Sequence, residues 1–188
     1  MSFYLAIIPE KSSADKIKRL LAYVGSLFDG YQVEVKLVKP EKFYLPLFYL
    51  GESLNPIKRF FIARKIRSLH FPLQTVGADI IKAGLSKRFK EHVALTFSEG
   101  ADELRELVLK LSSSLSIQRE GTFIPHLTLA RVVNELSAEE YANINSALRV
   151  LNSEIDGTIK SIRWGVKTID IIEVQDESVR VLNEITLS

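Results

Sequence analysis

The stretch Phe123–Arg131 reads FIPHLTLAR. Its β-branched and large apolar residues, with alternation from position 125 onward, predict a β-strand. Because successive strand side chains point to opposite faces, Leu127 and Leu129 are predicted to face a core. His126 and Thr128 then lie side by side on the other face. An imidazole that titrates near neutral pH beside a hydroxyl is a candidate catalytic pair, although a solvated strand face has the same pattern.

The composition of the chain indicates its broad class. The 188 residues suffice for one ordinary domain or two small fused lobes, and 46% are hydrophobic and 26% charged. There is no apolar run of about 18 residues, so no membrane span is expected, and the N-terminal segment lacks the basic region of a signal peptide. The absence of cysteine excludes disulfides and argues against structural zinc. We therefore expect a soluble cytoplasmic protein.

The net charge of +2 hides an asymmetry along the chain. The segment Lys36–Lys90 carries 12 Lys and Arg against 3 Asp and Glu, a net charge of +9. The remainder is correspondingly acidic, with a net charge of −7. A basic segment of this kind is a plausible binding surface for a polyanion, and an ordinary solvated helix face is the alternative.

Hydrophobic periodicity predicts an order of βαββαββ followed by αβαββ. Strands are predicted at Phe3–Ile8, 33–37, Phe43–Leu50, Leu73–Ile81, Glu91–Phe97, Thr122–Val133, one or two within Thr158–Val174, and Ser178–Leu187. Helices are predicted from about Ser12 to Phe28, from Asn55 to about Leu69, at Ala101–Leu115, and from Ser137 to about Leu151. Strands dominate, with short links between them, so we expect an α+β fold with mostly antiparallel sheets.

Two of the most apolar strands resemble each other. Phe43–Leu47 reads FYLPL and Pro125–Leu129 reads PHLTL, so both follow an x-aromatic-Leu-x-Leu pattern. Their aromatic positions, Tyr44 and His126, are 82 residues apart. This repeat is expected of two related lobes that each contribute one strand to a shared cleft.

These strands and their flanks resemble the 2H phosphoesterase superfamily, in particular the RNA 2′,3′-cyclic phosphodiesterases, also called the 2′-5′ RNA ligase (LigT-like) family. The family signature is two His-x-Thr-x motifs, one in each lobe. The second motif is complete within Pro125–Arg131, and the flanks of the first are recognisable in Val38–Lys42 and Phe48–Glu52. The resemblance implies a single bilobal domain over residues 1–188. In such a domain, two pseudo-symmetric lobes of mostly antiparallel sheet face a central cleft, with helices outside.

The first motif departs from the family pattern at both functional positions. Tyr44 stands where the family has His, and Pro46 stands where it has Thr. A tyrosine with its ordinary pKa near 10 is a poor base at neutral pH, although it can donate a hydrogen bond. Proline has neither a hydroxyl nor a backbone N–H with which to hold a phosphate oxygen.

The resemblance also implies a chemistry. In the family, two threonine hydroxyls hold the phosphate while one histidine acts as general base and the other as general acid, so no metal or cofactor is expected. Applied to this chain, His126, Thr128 and Tyr44 are the candidate catalytic residues, and Arg131 and Lys42 the candidate substrate-binding residues. The implied partner is RNA or a nucleotide with a terminal 2′,3′-cyclic phosphate or a 2′-5′ linkage. A monomer with no membrane association is expected.

Several alternatives stay open at this point. Arg131 is equally a surface arginine, and Tyr44 could stack on a base, replace the histidine or simply fill space. His70 is interpreted as a capping residue at a helix exit, and His92 as a strand histidine at a lobe surface. The chain is therefore either a hydrolase whose degenerate active site weakens or abolishes activity, a non-catalytic RNA- or nucleotide-binding module, or a structural or protein-binding remnant.

Overall fold

A computed structural model describes residues 1–69, 71, 74–84, 91–117, 121–175 and 178–187. In chain order its elements are β1 (Ser2–Ile7), α1 (Lys11–Gly30), β2 (Val35–Leu37), a 3₁₀ turn (Pro40–Lys42), β3 (Leu45–Gly51), α2 (Pro56–Arg67), β4 (Gln74–Ala83), β5 (His92–Glu99), α3 (Ala101–Leu115), β6 (His126–Val132), α4 (Ala138–Glu154), α5 (Asp156–Lys160), β7 (Arg163–Val166), β8 (Thr168–Gln175) and β9 (Ser178–Thr186).

The strands form two antiparallel sheets. Sheet A has the order β3-β1-β8-β9, and sheet B has the order β2-β6-β5-β4-β7. The two strands singled out from the sequence are therefore in different sheets, and β3 lies against β6. Helices α1, α4 and α5 pack against sheet B, whereas α2 packs against β9 of sheet A. The expected α+β class with antiparallel sheets is confirmed.

Helix α1 shows why the helices form where the periodicity predicted. Ile17, Leu20, Val24 and Phe28 recur every three or four residues, and all four are fully buried. Burying each such side chain contributes roughly 1.5–3 kcal/mol. This contribution compensates for an N-terminus that has no side-chain cap.

Helices α2 and α4 have stronger start signals. Asn55 caps α2 by accepting a hydrogen bond from the backbone N–H of Lys58 at 2.7 Å, with Pro56 at the first helical position. Ser137 and Glu140 form a capping box at the start of α4 through bonds of 3.2 and 2.8 Å. These local signals were legible in the sequence, and the helices begin where the signals place them.

Several predicted elements differ from the structure in their bounds; strand β6, for example, begins at His126 rather than at Thr122. Strand β3 begins at Leu45 rather than Phe43, because the 3₁₀ turn at Pro40–Lys42 is followed by two residues outside the ladder. The segment Thr158–Val174, predicted to contain one or two strands, contains β7 and most of β8, and its first residues belong to helix α5. The capping role proposed for His70 falls outside the described residues, as do residues 85–90 of the basic segment. Within the described residues, no helix combines the length and apolar composition that crossing a membrane requires.

Gly100 joins β5 to α3 in a conformation that only glycine adopts without strain. Its φ is +73°, and a Cβ at this position would collide with the carbonyl oxygen of Thr75. We expect Gly100→Ala to lower the free energy of unfolding by about 2–4 kcal/mol in urea denaturation, because strain and collision add.

Gly121 is the matched control for this change. Its φ is +77°, yet nothing lies within 4 Å of a Cβ built there. Gly121→Ala should therefore cost only the conformational strain, about 1–2 kcal/mol. Equal costs for the two substitutions would show that the contact with Thr75 does not constrain the β5–α3 junction.

Candidate active site

Strand β6 has one apolar and one polar face, as its sequence predicted. Leu127 and Leu129 are fully buried, whereas His126 and Thr128 are half-buried on the opposite side. The apolar pair anchors the strand in the core of sheet B. The imidazole and the hydroxyl are thereby fixed side by side at the surface of the same sheet.

A β-bulge in β6 brings Arg131 onto the face of His126 and Thr128. Strict alternation from Thr128 would point residue 130 to the polar face and residue 131 to the core. In the structure Val93 pairs with Ala130 and Ala94 pairs with Thr128, so one extra residue of β6 lies between these pairs. Ala130 is consequently buried and Arg131 exposed. The bulge re-aims the arginine, as bulges next to functional sites often do.

The neighbouring strand β5 completes this face. Thr96 pairs with His126, Ala94 with Thr128 and His92 with Arg131, and directly opposed residues share a face. We call these six residues the β5–β6 polar face. Ala94, opposite Thr128, is fully buried at the centre of this face, between the histidine–threonine end and the arginine end.

The imidazole of His126 has a defined orientation. Its Nδ1 lies 2.8 Å from the carbonyl oxygen of Ile124. A carbonyl oxygen only accepts, so the ring donates its Nδ1 proton, and in the neutral ring Nε2 carries the lone pair. This arrangement suits a group that accepts or releases a proton at Nε2.

His92 is placed differently from the expectation. It was predicted to be a strand histidine at a lobe surface, but it is 7% exposed and belongs to the β5–β6 polar face. Burial lowers its pKa, and the positive charges of Arg131 and of protonated His126 lower it further. Glu91, with an oxygen 3.3 Å from Nε2, raises the pKa in part. The neutral form is therefore favoured.

Lysine side chains extend the positive charge beyond β6. Lys36 of β2 pairs with Arg131 on the side opposite His92, so the three cross-strand neighbours form one row. Lys42, a candidate substrate-binding residue, ends the 3₁₀ turn that leads into β3 and is half-buried. The sequence analysis did not select Lys36, whose only signal was its position between Val35 and Leu37.

Immediately before β3 of sheet A, the first-motif position is occupied by Tyr44. Tyr44 packs against Tyr4, with ring centroids 6.0 Å apart, and Tyr4 packs against Tyr49 at 5.3 Å. Burial is the main cause that raises the pKa of Tyr44 to about 12, and the neighbouring Tyr4 adds to it. The positive charge of Arg131 acts in the opposite direction. Strand β3, which Tyr44 precedes, lies against β6, which carries Arg131. At neutral pH Tyr44 keeps its proton and can act as a hydrogen-bond donor, but not as a base.

Pro46 begins a row of side chains that crosses sheet A on the side of Tyr4. Pro46 pairs with Ala6, Ala6 with Asp170, and Asp170 with Glu184. Asp170 is 4% exposed, and burial together with the neighbouring Glu184 raises its pKa to about 6. No sequence pattern marked Asp170, because its environment depends on strand pairings between distant segments.

The arrangement defines a site of the acid–base and anion-binding type. Sheet B supplies an imidazole, a hydroxyl and a guanidinium on one surface, and sheet A supplies a phenol nearby. Such a set can hold a phosphate and move protons at its ester oxygens. Of the five candidate residues, Arg131 is brought onto the face of His126 and Thr128 and close to Tyr44. Lys42 lies in the turn that precedes Tyr44.

Comparison with solved structures identifies the fold. The crystal structure of E. coli LigT in apo form matches with a TM-score of 0.69 at 16% sequence identity, covering 100% of this chain and 98% of that chain. Kluyveromyces marxianus Usb1 with uridine monophosphate matches with a TM-score of 0.64 at 11% identity, covering 96% and 97%. The protein TT0787 of Thermus thermophilus matches with a TM-score of 0.61 at 16% identity, covering 100% and 98%.

The resemblance to the 2H phosphoesterases is thus confirmed at the level of the fold, over the whole chain. LigT structures are also known with 3′-AMP and with phosphate. No family model matches the sequence.

The buried carboxyl of Asp170 predicts a pH-dependent stability. Its folded pKa of about 6 exceeds its ordinary value of 3.8, so between these values the folded chain binds the proton more tightly than the unfolded chain. Stability from this group is complete below the lower value and is lost as pH rises through about 6. Asp170→Asn should remove this loss. The free energy of unfolding of the variant minus that of the wild type should therefore be larger at pH 8 than at pH 4, by up to about 3 kcal/mol.

Urea denaturation of both proteins at several pH values measures this difference. Glu184→Gln is the control, since it removes a charge that raises the pKa of Asp170 while leaving the carboxyl in place. It should reduce the pH-dependent loss without removing it. A difference between Asp170→Asn and wild type that does not change with pH would contradict the assignment.

Proposed function

We propose that this chain is a phosphoesterase of the 2H type that hydrolyses phosphodiesters at RNA ends, with a 2′,3′-cyclic phosphate or a 2′-5′ linkage as substrate. The observation that carries the proposal is the bulge in β6, which places Arg131 on the face of His126 and Thr128. A strand that served only as a solvated edge has no need of this rearrangement.

The known ligands of the structural neighbours support the same substrate class. LigT has been crystallised with 3′-AMP, and Usb1 with uridine monophosphate. Both ligands are nucleoside monophosphates. Lys36 and Arg131 are adjacent across β2 and β6, and provide positive charge for the phosphates of an RNA end.

In the proposed site the Thr128 hydroxyl and the Arg131 guanidinium hold the non-bridging phosphate oxygens. His126 transfers a proton at Nε2, since its Nδ1 proton is held by the carbonyl of Ile124. Tyr44, protonated at neutral pH, donates a hydrogen bond to a phosphate oxygen. Neither Tyr44 nor Pro46 supplies the second base that the family obtains from its first motif. Without a replacement, turnover should fall roughly 10²–10⁴-fold below that of a complete site.

A non-catalytic RNA- or nucleotide-binding module is the second candidate. Two observations favour it: the raised pKa of Tyr44 and the proline at the position of the first-motif threonine. This candidate requires binding that weakens steeply with salt, without product formation.

Changes at the two second-motif residues test the proposed function. With adenosine 2′,3′-cyclic phosphate and with cyclic-phosphate-ended RNA, His126→Ala should reduce kcat roughly 10²–10⁴-fold, because a positioned proton-transfer group is lost. Thr128→Val should raise KM and lower kcat, because a phosphate-binding hydroxyl is lost. Product formation is followed by chromatography.

Thr96→Val is the matched control for Thr128→Val. Thr96 lies on the same face, but its hydroxyl donates to the carbonyl of Ile80 at 3.1 Å. Its removal should leave turnover within a few-fold of wild type. Absence of turnover of both substrates by the wild-type protein refutes the hydrolase, and salt-sensitive binding in that case supports the binding module.

Restoring the first motif tests whether its absence limits the rate. The double substitution Tyr44→His with Pro46→Thr supplies an imidazole and a hydroxyl on the side of sheet A that faces Arg131. We expect an increase in kcat of at least tenfold, because one proton-transfer group typically contributes roughly 10²–10⁴-fold and the new one will be imperfectly placed. An unchanged kcat with intact folding would indicate that another residue already performs this role.

A further inference from the structure

The β5–β6 polar face contains a second histidine besides His126. Sequence reasoning discounted His92, because it does not belong to the two-motif pattern. The register nevertheless places it directly opposite Arg131, and places Ala94, two residues on, directly opposite Thr128. The two imidazoles therefore lie toward opposite ends of the face, with the Thr128 hydroxyl and the small Ala94 side chain between them.

This placement matches the requirement of an in-line displacement at phosphorus. The attacking and leaving oxygens lie on opposite sides of the phosphorus atom, and each needs its own proton-transfer group within roughly 3 Å. A phosphate held by the half-buried Thr128 and the exposed Arg131 has the His126 end of the face on one side and the His92 end on the other. In the family the two groups come from different lobes, whereas here one sheet carries both.

We propose that His92 is the general base of this site, acting in place of the histidine that Tyr44 has displaced from the first motif. The proposal rests on the proposed function, whose second proton-transfer group it names. His126, at the other end of the face, is then the general acid.

The environment of His92 supports this division. Burial and the charge of Arg131 lower the pKa of His92, so its imidazole is neutral and ready to accept a proton. The charged and titratable groups that act on it are Arg131 and His126 from β6 and Glu91 from its own segment, with Lys36 one strand beyond Arg131. Protonated His126 keeps its Nδ1 hydrogen bond to Ile124 and carries a second proton on Nε2.

The hydrolytic step is balanced with these two groups. A water oxygen forms a bond to phosphorus while one of its protons passes to the imidazole of His92. The bond between phosphorus and the ribose 2′ or 3′ oxygen breaks, and that oxygen takes the Nε2 proton of His126. One water is consumed, the products are a phosphomonoester and a free hydroxyl, and the two imidazoles return to their starting states by proton exchange with solvent.

The first test is His92→Gln, which keeps a polar side chain of similar reach but cannot titrate. Wild type and variant are compared on adenosine 2′,3′-cyclic phosphate across pH 4 to about 9, a range that spans ordinary histidine pKa values. The expected result is a kcat lowered roughly 10²–10⁴-fold, a KM changed only a few-fold, and loss of the acidic limb of the pH profile. A kcat within threefold of wild type, or an acidic limb that persists unchanged, would overturn the proposal. Thermal unfolding of both proteins checks that the variant folds.

The second test changes the pKa of His92 without replacing it, and so remains decisive if His92→Gln fails to fold. Glu91 is half-exposed and raises the pKa of His92. Glu91→Gln should therefore lower that pKa and move the acidic limb of kcat/KM to lower pH, leaving the basic limb in place. Glu106→Gln, which removes a carboxylate paired with Lys110 on α3, is the matched control and should move neither limb. An acidic limb that does not move with Glu91→Gln contradicts the role of His92.

The outcomes separate this inference from the function on which it rests. Turnover that depends on His126 but not on His92 refutes only the assignment of the base. Absence of turnover by the wild-type protein refutes both. Turnover that depends on both histidines, with opposite limbs of the pH profile assigned to them, supports both.

Discussion

One extra residue in strand β6 determines what the rest of the site can do. The alternation of a strand admits only every second side chain to a given face, and His126 and Thr128 occupy two such positions. The bulge between the pairs Val93–Ala130 and Ala94–Thr128 shifts that alternation by one. Arg131 then joins the histidine and the threonine, and Ala130 fills the core in its place. A regular strand would have directed a guanidinium into the hydrophobic interior, at a large desolvation cost.

The bulge also fixes the relation between β6 and its two neighbours. Because His92 and Lys36 pair with Arg131 from opposite sides, the charge of the arginine acts on both. The positive charge of Arg131, with Lys36 beside it, attracts a phosphate, and burial together with the same charge favours the neutral form of the His92 imidazole. Anion binding and base strength are thus linked through one side chain, and a substitution of Arg131 would alter both.

The sequence predicted those parts of this arrangement that depend on neighbouring residues. The faces of Leu127 and His126 follow from the period of a strand, and the capping box at Ser137 follows from a local hydrogen-bond pattern. The side to which Arg131 points could not be predicted, because the bulge is a property of the pairing with β5. His92 and Asp170 were missed or discounted for the same reason. His92 pairs with Arg131, 39 positions away along the chain, and Asp170 pairs with Ala6, 164 positions away. The resemblance to a known family supplied the topology that no local pattern contains.

Sheets A and B differ in the side chains that they place near the site. Beside sheet A, Tyr44 packs against the ring of Tyr4. Among the described residues of sheet A, the buried acid Asp170 pairs with Glu184 rather than with a cation. On sheet B, the residues His126, Thr128, Arg131 and His92 share one face. A symmetric two-lobe site requires a fixed distance between the lobes, because each lobe contributes one proton-transfer group. A site built on adjacent strands of one sheet is positioned by the backbone ladder itself, and hence tolerates loss of function in the other lobe. The absence of a first-motif histidine and threonine at positions 44 and 46 is therefore compatible with a reactive site on sheet B, where Arg131 acts on the protonated Tyr44.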